Sequence, residues 1–417
     1  MKNVFKIAVR NLLRYKRRTL LTSLLIVLGV VLVIVFSGVS VSFKSMMIGQ
    51  LTDSMLGHFQ IHKKGYVSSV DNLPLHLNLE GPAISKVRNL LEKNGDALES
   101  YSFRLKFGAM LSNYQETTNI RLTGVDPVQE SMTCPGLPSR ILESSEGKGE
   151  LLKKGGLLVP ENLAKGLKLQ VGDEVVLVAT NKDGSVNGFS LTVTGIIEGL
   201  NGPGGRDGYV HIDDAKELLR ISGDEINEIA VRLKNMNNLG RVKQDIADGL
   251  SQYVNKQGNP AFELHDWAAL TPFSTIASIV DILIYTVKIV LISIVLISIL
   301  NVMMMSVYER VSEIGTIAAI GTAPAKILSL FLVEGFILGA VSTALGTLTG
   351  VVLLFVINTA HIHFSFGRMK DILLVTSVSP GELITVSAIV IVITLISSFQ
   401  PALKASKMEP VDALRHV

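Results

Sequence analysis

The sequence of 417 residues contains a single cysteine, Cys134, and few charged residues. One thiol excludes an internal disulfide framework and any zinc or iron–sulfur site that is built from several cysteines. Charged residues make up 18% of the chain, and its 39 basic and 36 acidic side chains nearly cancel, which argues against a nucleic-acid partner. The mean hydropathy of +0.42 is rare for a soluble domain and indicates that part of the chain faces lipid.

Catalytic and nucleotide-binding motifs are missing as well. The sequence contains no G-x-S-x-G nucleophile motif, no H-E-x-x-H zinc motif and no paired cysteine ligands. It also lacks the phosphate-binding loop G-x-x-x-x-G-K-[ST], because Gly147-Lys148 has neither the preceding glycine nor the following hydroxyl residue. We therefore expect a non-catalytic chain that binds no cofactor and no metal ion of its own.

Long apolar runs, by contrast, are present. Residues 19–43 carry no charge and exceed the roughly 20 residues that a membrane-spanning helix needs. We predict a retained anchor, because a signal peptide has a shorter apolar core and ends in a small-residue cleavage site. Three further charge-poor segments give four predicted helices: 19–43, 272–306, 327–357 and 383–403. The second is longer than a membrane requires, so we expect its first part to form a stalk.

The basic residues predict the topology. Seven basic and no acidic side chains occur in residues 1–18, which places this segment in the cytoplasm. Its apolar spacing further predicts an amphipathic helix on the inner leaflet. Four crossings return the tail, 404–417, to the cytoplasm. The loop 307–326 is then cytoplasmic, and the loop 358–382 is outside.

Residues 44–271 have a mixed composition that predicts a large α+β extracytoplasmic domain, inserted between helices 1 and 2. Its apolar patterns favour strands at 157–159, 175–178, 189–197 and 229–233 and helices at 213–219 and 239–254. These strands predict a β-rich subdomain at about 150–225, in which Asp207-Gly208 is expected to form a turn.

Two histidines of this domain, His58 and His62, alternate with Gln60 and would share one face of a strand. Two histidines at this spacing could hold a metal ion. The alternative is a solvated strand face, with Phe59 and Ile61 turned to the core. We expect the second arrangement and no metal site, because no cysteine or carboxylate lies nearby in the sequence.

The third predicted helix contains Glu334, about two turns from its start. A carboxylate inside a membrane is costly, which makes Glu334 a functional candidate; alternatively, it is an interfacial residue paired with a basic neighbour. Gly335, Gly339, Gly346 and Gly350 follow with small-xxx-small spacing. This spacing predicts close helix packing, within the chain or across a dimer.

The segment after the second predicted helix reads Tyr308-Glu-Arg-Val-Ser-Glu-Ile-Gly315, followed by Ala318-Ala-Ile-Gly-Thr322. It resembles the E-R-x-x-E-I-G…A-x-G signature of the FtsX/MacB-type (type VII) ABC transporter permeases, which include the lipoprotein-releasing permeases LolC and LolE. The glycine-rich third helix, the segment 163–175 and the C-terminal segment 401–415 are also similar to the corresponding segments of this family. The resemblance thus extends over the whole chain.

The resemblance implies a multi-pass protein of the bacterial inner membrane with a MacB-type periplasmic core domain. It also implies a dimer with a second permease copy or paralogue, and two cytoplasmic ATPase subunits that bind ATP and Mg. The loop 307–326 would be the coupling helix on the ATPase. The residues expected to transmit the ATPase motion are Glu309, Arg310, Glu313, Ile314 and Gly315.

Within this family, a chain of this length without an ATPase domain is most similar to LolC and LolE. The implied function is the release of lipoproteins from the inner membrane by mechanotransmission, in which the second-helix stalk carries the motion to the periplasmic domain. A MacB-like exporter with a periplasmic adaptor and an FtsX-like signalling permease are the alternatives. An anchored enzyme would require a catalytic site that the sequence does not offer.

Overall fold

The computed structural model describes residues 2–145, 151–199, 203–255, 258–270, 273–366, 369–409 and 411. It divides into two compact units. We call Met1–Met46 together with Ser278–Val417 the membrane unit, and Met47–Ala277 the inserted domain. The part of the predicted tail from residue 410 onward, except Val411, lies outside the described residues.

The elements are numbered in chain order. The helices are α1 (Lys2–Arg14), α2 (Lys16–Leu51), α3 (Gly81–Lys93), α4 (Pro127–Thr133), α5 (Glu161–Leu167), α6 (Ile212–Leu218), α7 (Leu239–Ser251), α8 (Phe273–Glu309), α9 (Val311–Ala319), α10 (Pro324–Thr359) and α11 (Pro380–Ser406). The strands are β1 (Phe59–Lys63), β2 (Leu79–Glu80), β3 (Leu98–Ser112), β4 (Thr117–Val125), β5 (Ile141–Ser144), β6 (Gly156–Pro160), β7 (Glu174–Thr180), β8 (Val186–Ile197), β9 (Asp207–His211), β10 (Glu225–Ile226), β11 (Glu228–Leu233), β12 (Phe262–Asp266), β13 (His363–Phe366) and β14 (Met369–Leu373).

Four helices of the described chain, α2, α8, α10 and α11, are long and apolar enough to cross a membrane. The prediction of four membrane-spanning helices is therefore confirmed. The helices extend beyond the predicted spans, because backbone hydrogen bonding does not stop where the apolar side chains do. With 37 residues, α8 is about 55 Å long at 1.5 Å per residue, well beyond the roughly 30 Å of a hydrocarbon core.

The N-terminal amphipathic segment is shorter than predicted. Helix α1 ends at Arg14, and the next helix already begins at Lys16, so the last three residues of the predicted segment 1–18 belong to α2. On α1, Ala8 and Leu12 are buried, while Lys6 and Arg10 are exposed. One side of α1 thus packs against the rest of the membrane unit, whereas the apolar side chains of Phe5, Ile7 and Leu13 are exposed.

The predicted loops of the membrane unit contain short elements. The segment 307–326 consists of the end of α8, the nine-residue helix α9 and the start of α10. A left-handed glycine, Gly321 with a φ of 90°, follows α9, and a residue with a Cβ would be strained in this conformation. The segment 358–382, predicted as an outer loop, contains the antiparallel strand pair β13–β14.

The inserted domain is built on a ten-stranded sheet, and its α+β class is confirmed. Six strands pair in a closed ring in the order β3-β4-β9-β6-β8-β7, because β7 pairs with both β8 and β3. The first part of β3 pairs with β11, on the same edge that β7 occupies further along the strand, and the sheet continues from β11 through β1 to β12. The strand β3 therefore belongs to both the barrel and the open part of the sheet.

The strand-rich region is wider than the predicted subdomain at about 150–225. That region supplies β6 to β9, whereas the barrel also needs β3 and β4, which lie before it at 98–125. In the second half of β3, every second residue points into the barrel core, namely Leu105, Phe107, Ala109 and Leu111. A second core lies between the open sheet and the helices α3 and α7, and includes Phe59, Ile61, Val231, Leu91 and Ile246.

Two local predictions in this domain were wrong. Asp207-Gly208 is not a turn but the start of β9, which pairs with β4 and β6. A Cβ on Gly208 would lie 2.8 Å from the Leu158 carbonyl oxygen, so this glycine permits a close approach of two strands. The helix predicted at 239–254 ends earlier, at Ser251.

The expected solvated face of the first strand was also wrong, because His58, Gln60 and His62 are all buried. His58 Nδ1 accepts a hydrogen bond from the Leu233 amide at 3.0 Å. The Gln60 amide donates to the Leu56 carbonyl at 2.9 Å, and His62 Nε2 lies 3.2 Å from a Glu228 carboxylate oxygen. Polar contacts within the domain thus replace the water that the sequence pattern suggested.

Candidate functional site

Arg310 is the one residue between α8 and α9, and its backbone makes the turn between the two helices. Its amide donates to the Val307 carbonyl, and its carbonyl accepts from the Ile314 amide. The residue is only 3% exposed. A guanidinium that is buried to this degree must be compensated by negative charge.

Two carboxylates provide this compensation. Arg310 Nη1 lies 3.1 Å from Glu334 Oε2 on α10, and Arg310 Nε donates to Glu313 Oε2, also at 3.1 Å, on α9. The guanidinium also lies over the Phe331 ring, 5.3 Å from its centroid, which is within the range of a cation–π contact. Arg310 therefore connects the short helix α9 to the membrane-spanning helix α10.

A second arginine, Arg18 on α2, reaches the same buried carboxylate. Its Nη2 donates to Glu334 Oε1 at 3.2 Å, and its Nη1 lies 3.8 Å from Glu309 Oε2. Glu334 is only 1% exposed, so two arginines neutralise a carboxylate that water does not reach. This geometry corresponds to the paired interpretation of Glu334, although both partners are distant in sequence; its functional role stays a prediction.

The junction of α1 and α2 contacts the other carboxylate. The Tyr15 hydroxyl donates to Glu313 Oε1 at 2.7 Å, and Arg14 lies 3.6 Å from the same oxygen. Burial raises the pKa of Glu313, but the hydrogen bonds from Tyr15 and Arg310 outweigh this effect and hold it below the ordinary 4.5. Glu313 is thus charged at neutral pH. We call Arg14, Arg18, Glu309, Arg310, Glu313 and Glu334 the ion-pair cluster.

The helix α9 has one buried and one exposed side. Ile314 is 3% exposed and packs with Val307, Ile327 and Phe331, and Gly315 is buried next to it. On the other side, Ile317 is exposed, and Ile320, directly after the helix, is 80% exposed. Ile317 and Ile320 thus leave apolar surface exposed at the end of α9.

The four glycines of α10 contact two other helices of the chain. A Cβ on Gly335 would overlap the Ser398 hydroxyl of α11, and one on Gly339 would lie 2.6 Å from Thr394 Cγ2. The other two glycines face α2: a Cβ on Gly346 would lie 2.8 Å from Val30 Cβ, and one on Gly350 would lie 3.1 Å from Ile34 Cγ2. These positions therefore serve packing within the chain, where only glycine permits the close approach.

Two further ion pairs connect the spans at their opposite ends. Lys44 on α2 lies 2.6 Å from Asp281 Oδ1 on α8, and Lys288 on α8 lies 2.8 Å from Glu382 Oε1 on α11. Among the described residues, no group of three or more His, Cys, Asp or Glu side chains could hold a metal ion.

The inserted domain contains a buried cation that the sequence did not indicate. Arg104 on β3 is 1% exposed and makes ion pairs with Glu130 at 2.6 Å and with Glu228 at 2.7 Å. Burial of Glu228 raises its pKa, but Lys106, at 2.6 Å, and the other donors around it hold this pKa well below the ordinary value. The two carboxylates that pair with Arg104 lie 26 and 124 residues away from it in the sequence, so no local spacing could have revealed them.

The described part of the chain has four membrane helices, and an α+β domain is inserted after the first membrane helix. Ion pairs attach the short helix α9 to the third membrane helix, α10. This is the layout of a transporter permease. Family models support this class. The model of the MacB-like periplasmic core domain matches residues 19–248, more than half of the chain, and that of the FtsX-like permease C-terminal region matches 285–410. The chain belongs to this family and is an ABC transporter permease of the LolC/MacB/FtsX type.

Individual relatives include proteins named LolC and proteins named MacB. The lipoprotein-releasing system transmembrane protein LolC of Neisseria meningitidis serogroup B is 22% identical over 415 residues, which cover 94% of this chain and 92% of the relative. The macrolide export ATP-binding/permease protein MacB of Bdellovibrio bacteriovorus is 23% identical, over 80% of this chain and 49% of the relative. The solved periplasmic region of MacB from Actinobacillus actinomycetemcomitans matches 54% of this chain and 94% of that chain, with 13% identity and a TM-score of 0.36.

Proposed function

We propose that this chain is the permease subunit of an ATP-driven transporter that releases lipoproteins from the bacterial inner membrane. The observation that carries this proposal is the extent of the match with LolC, which covers 94% of this chain and 92% of that relative. The match with MacB, in contrast, covers about half of the relative's length.

The proposed ATPase contact is the exposed side of α9 with Ile320. The basic residues before α2 favour a cytoplasmic location for the N-terminus, and the Tyr15–Glu313 hydrogen bond joins this N-terminal segment to α9. A cytoplasmic ATPase dimer would then bind the apolar surface of α9 and supply the ATP and Mg sites. The inserted domain would lie in the periplasm.

The ion-pair cluster suggests how a movement of α9 reaches the membrane helices. When the ATPase subunits close, they displace α9, and Arg310 transfers the displacement to α10 through Glu334. Because Arg18 contacts the same carboxylate, α2 follows α10. Separating a buried ion pair costs several kcal/mol, so the three elements move together rather than part.

The proposal is tested by purifying the protein from its native membranes in mild detergent and identifying the copurifying proteins by mass spectrometry. An ATPase, a second and different permease and acylated lipoproteins would support lipoprotein release. An ATPase with a periplasmic adaptor, and only this permease, would establish a MacB-like exporter instead. The absence of any ATPase would refute the transporter assignment.

A second step tests the activity itself. The purified complex is reconstituted in proteoliposomes that contain a triacylated lipoprotein, and the lipoprotein that leaves the membrane is measured with ATP or with a non-hydrolysable analogue. Release that requires ATP hydrolysis supports the proposal. Equal release under both conditions contradicts it.

A further inference from the structure

The first membrane helix ends inside the inserted domain. Helix α2 runs to Leu51 and continues as a π-helical turn, Thr52–Leu56, which Gly57 ends with a φ of +67°. The last carbonyl groups of a helix have no hydrogen-bond partners within the helix, and leaving them unpaired in a protein interior is costly. Thr52, Ser54 and Leu56 are buried, so the domain itself must satisfy these groups.

Each of the five carbonyls from Thr52 to Leu56 accepts a hydrogen bond. The Thr52 carbonyl accepts from the Gly57 amide at 3.0 Å and from Cys134 Sγ at 3.7 Å, and the Asp53 carbonyl accepts from the Gly136 amide at 2.8 Å. The Ser54 carbonyl accepts from Arg140 Nη1 at 3.2 Å, the Met55 carbonyl from Arg104 Nη1 at 2.7 Å, and the Leu56 carbonyl from Gln60 Nε2 at 2.9 Å. We call Gln60, Arg104, Cys134, Gly136 and Arg140 the helix socket.

The two arginines of the helix socket are held firmly on the domain side. Arg104 donates to both oxygens of Glu130 and to Glu228, and Arg140 Nη2 donates to the Glu198 carbonyl at 2.6 Å. Both side chains are buried. Two cations at the C-terminal end of a helix also match the negative end of its dipole. The helix end is thus attached to the strands β3 and β11 and to α4.

The socket also fits the helix end sterically. A Cβ on Gly136 would lie 2.9 Å from Ser54 Oγ and 3.1 Å from the Asp53 carbonyl oxygen, so no side chain fits there without displacing the helix end. At the rim, the Asp53 carboxylate pairs with Arg232 at 2.6 Å.

We propose that the helix socket is the joint through which movement of the first membrane helix reaches the inserted domain, with Arg104 and Arg140 as its positioning residues. The attachment itself follows from the contacts, and its mechanical role rests on the proposed function. The family resemblance implies the second-helix stalk as the carrier of the motion; the socket adds a direct route through α2. The domain holds the four consecutive carbonyls from Asp53 to Leu56, so that both a pull and a rotation of the helix act on it.

The first test needs only this chain. Gly136→Ala is introduced in the full-length protein in lipid nanodiscs, and Gly108→Ala serves as the control, because a Cβ on Gly108 meets nothing within 4 Å. The readouts are amide hydrogen exchange in residues 52–57 and the rate at which N-ethylmaleimide labels Cys134, the single cysteine, which is fully buried. We expect Gly136→Ala to accelerate both processes severalfold and Gly108→Ala to leave both unchanged.

Gln60→Met is a second variant in case Gly136→Ala does not fold. It removes the donor to the Leu56 carbonyl with little change in side-chain volume, and it should accelerate exchange in the same segment. Exchange and labelling at the wild-type rate in both variants would overturn the socket.

The second test addresses the mechanical role in the complex with its ATPase. We expect Gly136→Ala to lower ATP-driven lipoprotein release, while ATPase binding and ATP hydrolysis stay at the level of Gly108→Ala. A variant that opens the socket but releases lipoprotein normally would refute the role as a joint. If the wild-type protein binds no ATPase, the proposed function fails, whereas exchange and labelling still decide whether the helix end is held.

Discussion

Arg310 and Glu334 lie 3.1 Å apart and connect the turn before α9 to the membrane helix α10. The same carboxylate accepts from Arg18 of α2, so three elements meet at one buried charge. The two buried charges of the cluster, Arg310 and Glu334, each have an opposite charge within 4 Å, which is the condition under which charges persist in a protein interior. The cluster should therefore respond sharply to the loss of one member.

Arg310→Met should destabilise the membrane unit. Removing one partner of a buried ion pair costs about 3–5 kcal/mol, and we expect the lower end of this range because Arg18 still neutralises part of the Glu334 charge. Thermal unfolding of the detergent-solubilised protein measures the effect. The double variant Arg310→Met with Glu334→Met removes both charges, and it should recover part of the lost stability. A double variant that is less stable than Arg310→Met would contradict this account.

Ile320→Glu should abolish binding of the ATPase without unfolding the permease. The side chain is 80% exposed, so the substitution disturbs no packing within the chain, but a carboxylate in an apolar contact loses its hydration. The measurement is copurification of the ATPase with the variant. Ile320→Val keeps an apolar side chain and should retain the ATPase. Retention of the ATPase by Ile320→Glu would show that the contact lies elsewhere.

Gly346→Leu should separate α10 from α2, whereas Ala344→Leu on the same helix should not. A Cβ at position 346 would already lie 2.8 Å from Val30 Cβ, while Ala344 is exposed. Overpacking of this kind typically costs about 1–3 kcal/mol. The yield of monodisperse protein in detergent and its unfolding temperature compare the two variants. Equal behaviour of the two would show that the glycine contact is unimportant.

The inserted domain should lose stability in acid through His58. Burial, followed by the nearby Arg232, lowers the pKa of His58 below the ordinary 6.5, and its Nδ1 accepts the Leu233 amide. The unfolded chain therefore binds the proton first. Above the pKa of His58 in the unfolded chain, this difference in proton binding has no effect on stability. As the pH falls below that pKa, the difference destabilises the fold progressively. Burial lowers the pKa of His265 as well, which acts in the same direction.

The fluorescence of Trp267, the single tryptophan, can follow unfolding of this domain from about pH 7.5 to about pH 5, the range in which histidine titrates. His58→Gln retains an acceptor but no titratable group, and it should show a smaller loss of unfolding temperature in acid. A loss equal to that of the wild type would mean that His58 binds a proton equally well in the folded and the unfolded chain.

Sequence patterns predicted the elements that depend on local information. The charge-free run 19–43 and three similar runs gave the four membrane helices, because the hydrocarbon core acts on every residue of a span in the same way. The E-R-x-x-E-I-G segment from Glu309 led to the correct family. In the inserted domain, the apolar runs at 157–159 and 229–233 are strands, as their patterns indicated.

Predictions failed where a residue's environment came from distant segments. His58 and His62 look like an exposed polar face, yet β11, β12 and Glu228 enclose them. The barrel needs β3 and β4, but nothing in residues 98–125 shows that β3 pairs on both sides. Arg104 reads as an ordinary charged residue in a strand, and only the folded chain brings Glu130 and Glu228 to it.

The sequence by itself thus determined the number of membrane helices, the position of the inserted domain and the family, since each of these depends on composition or on contiguous residues. The tertiary structure decided which charges pair. Arg18 and Glu334 are 316 residues apart, and Arg104 and Glu228 are 124 apart. A buried charge is stable only beside its counter-charge, and the fold alone specifies which side chain that is.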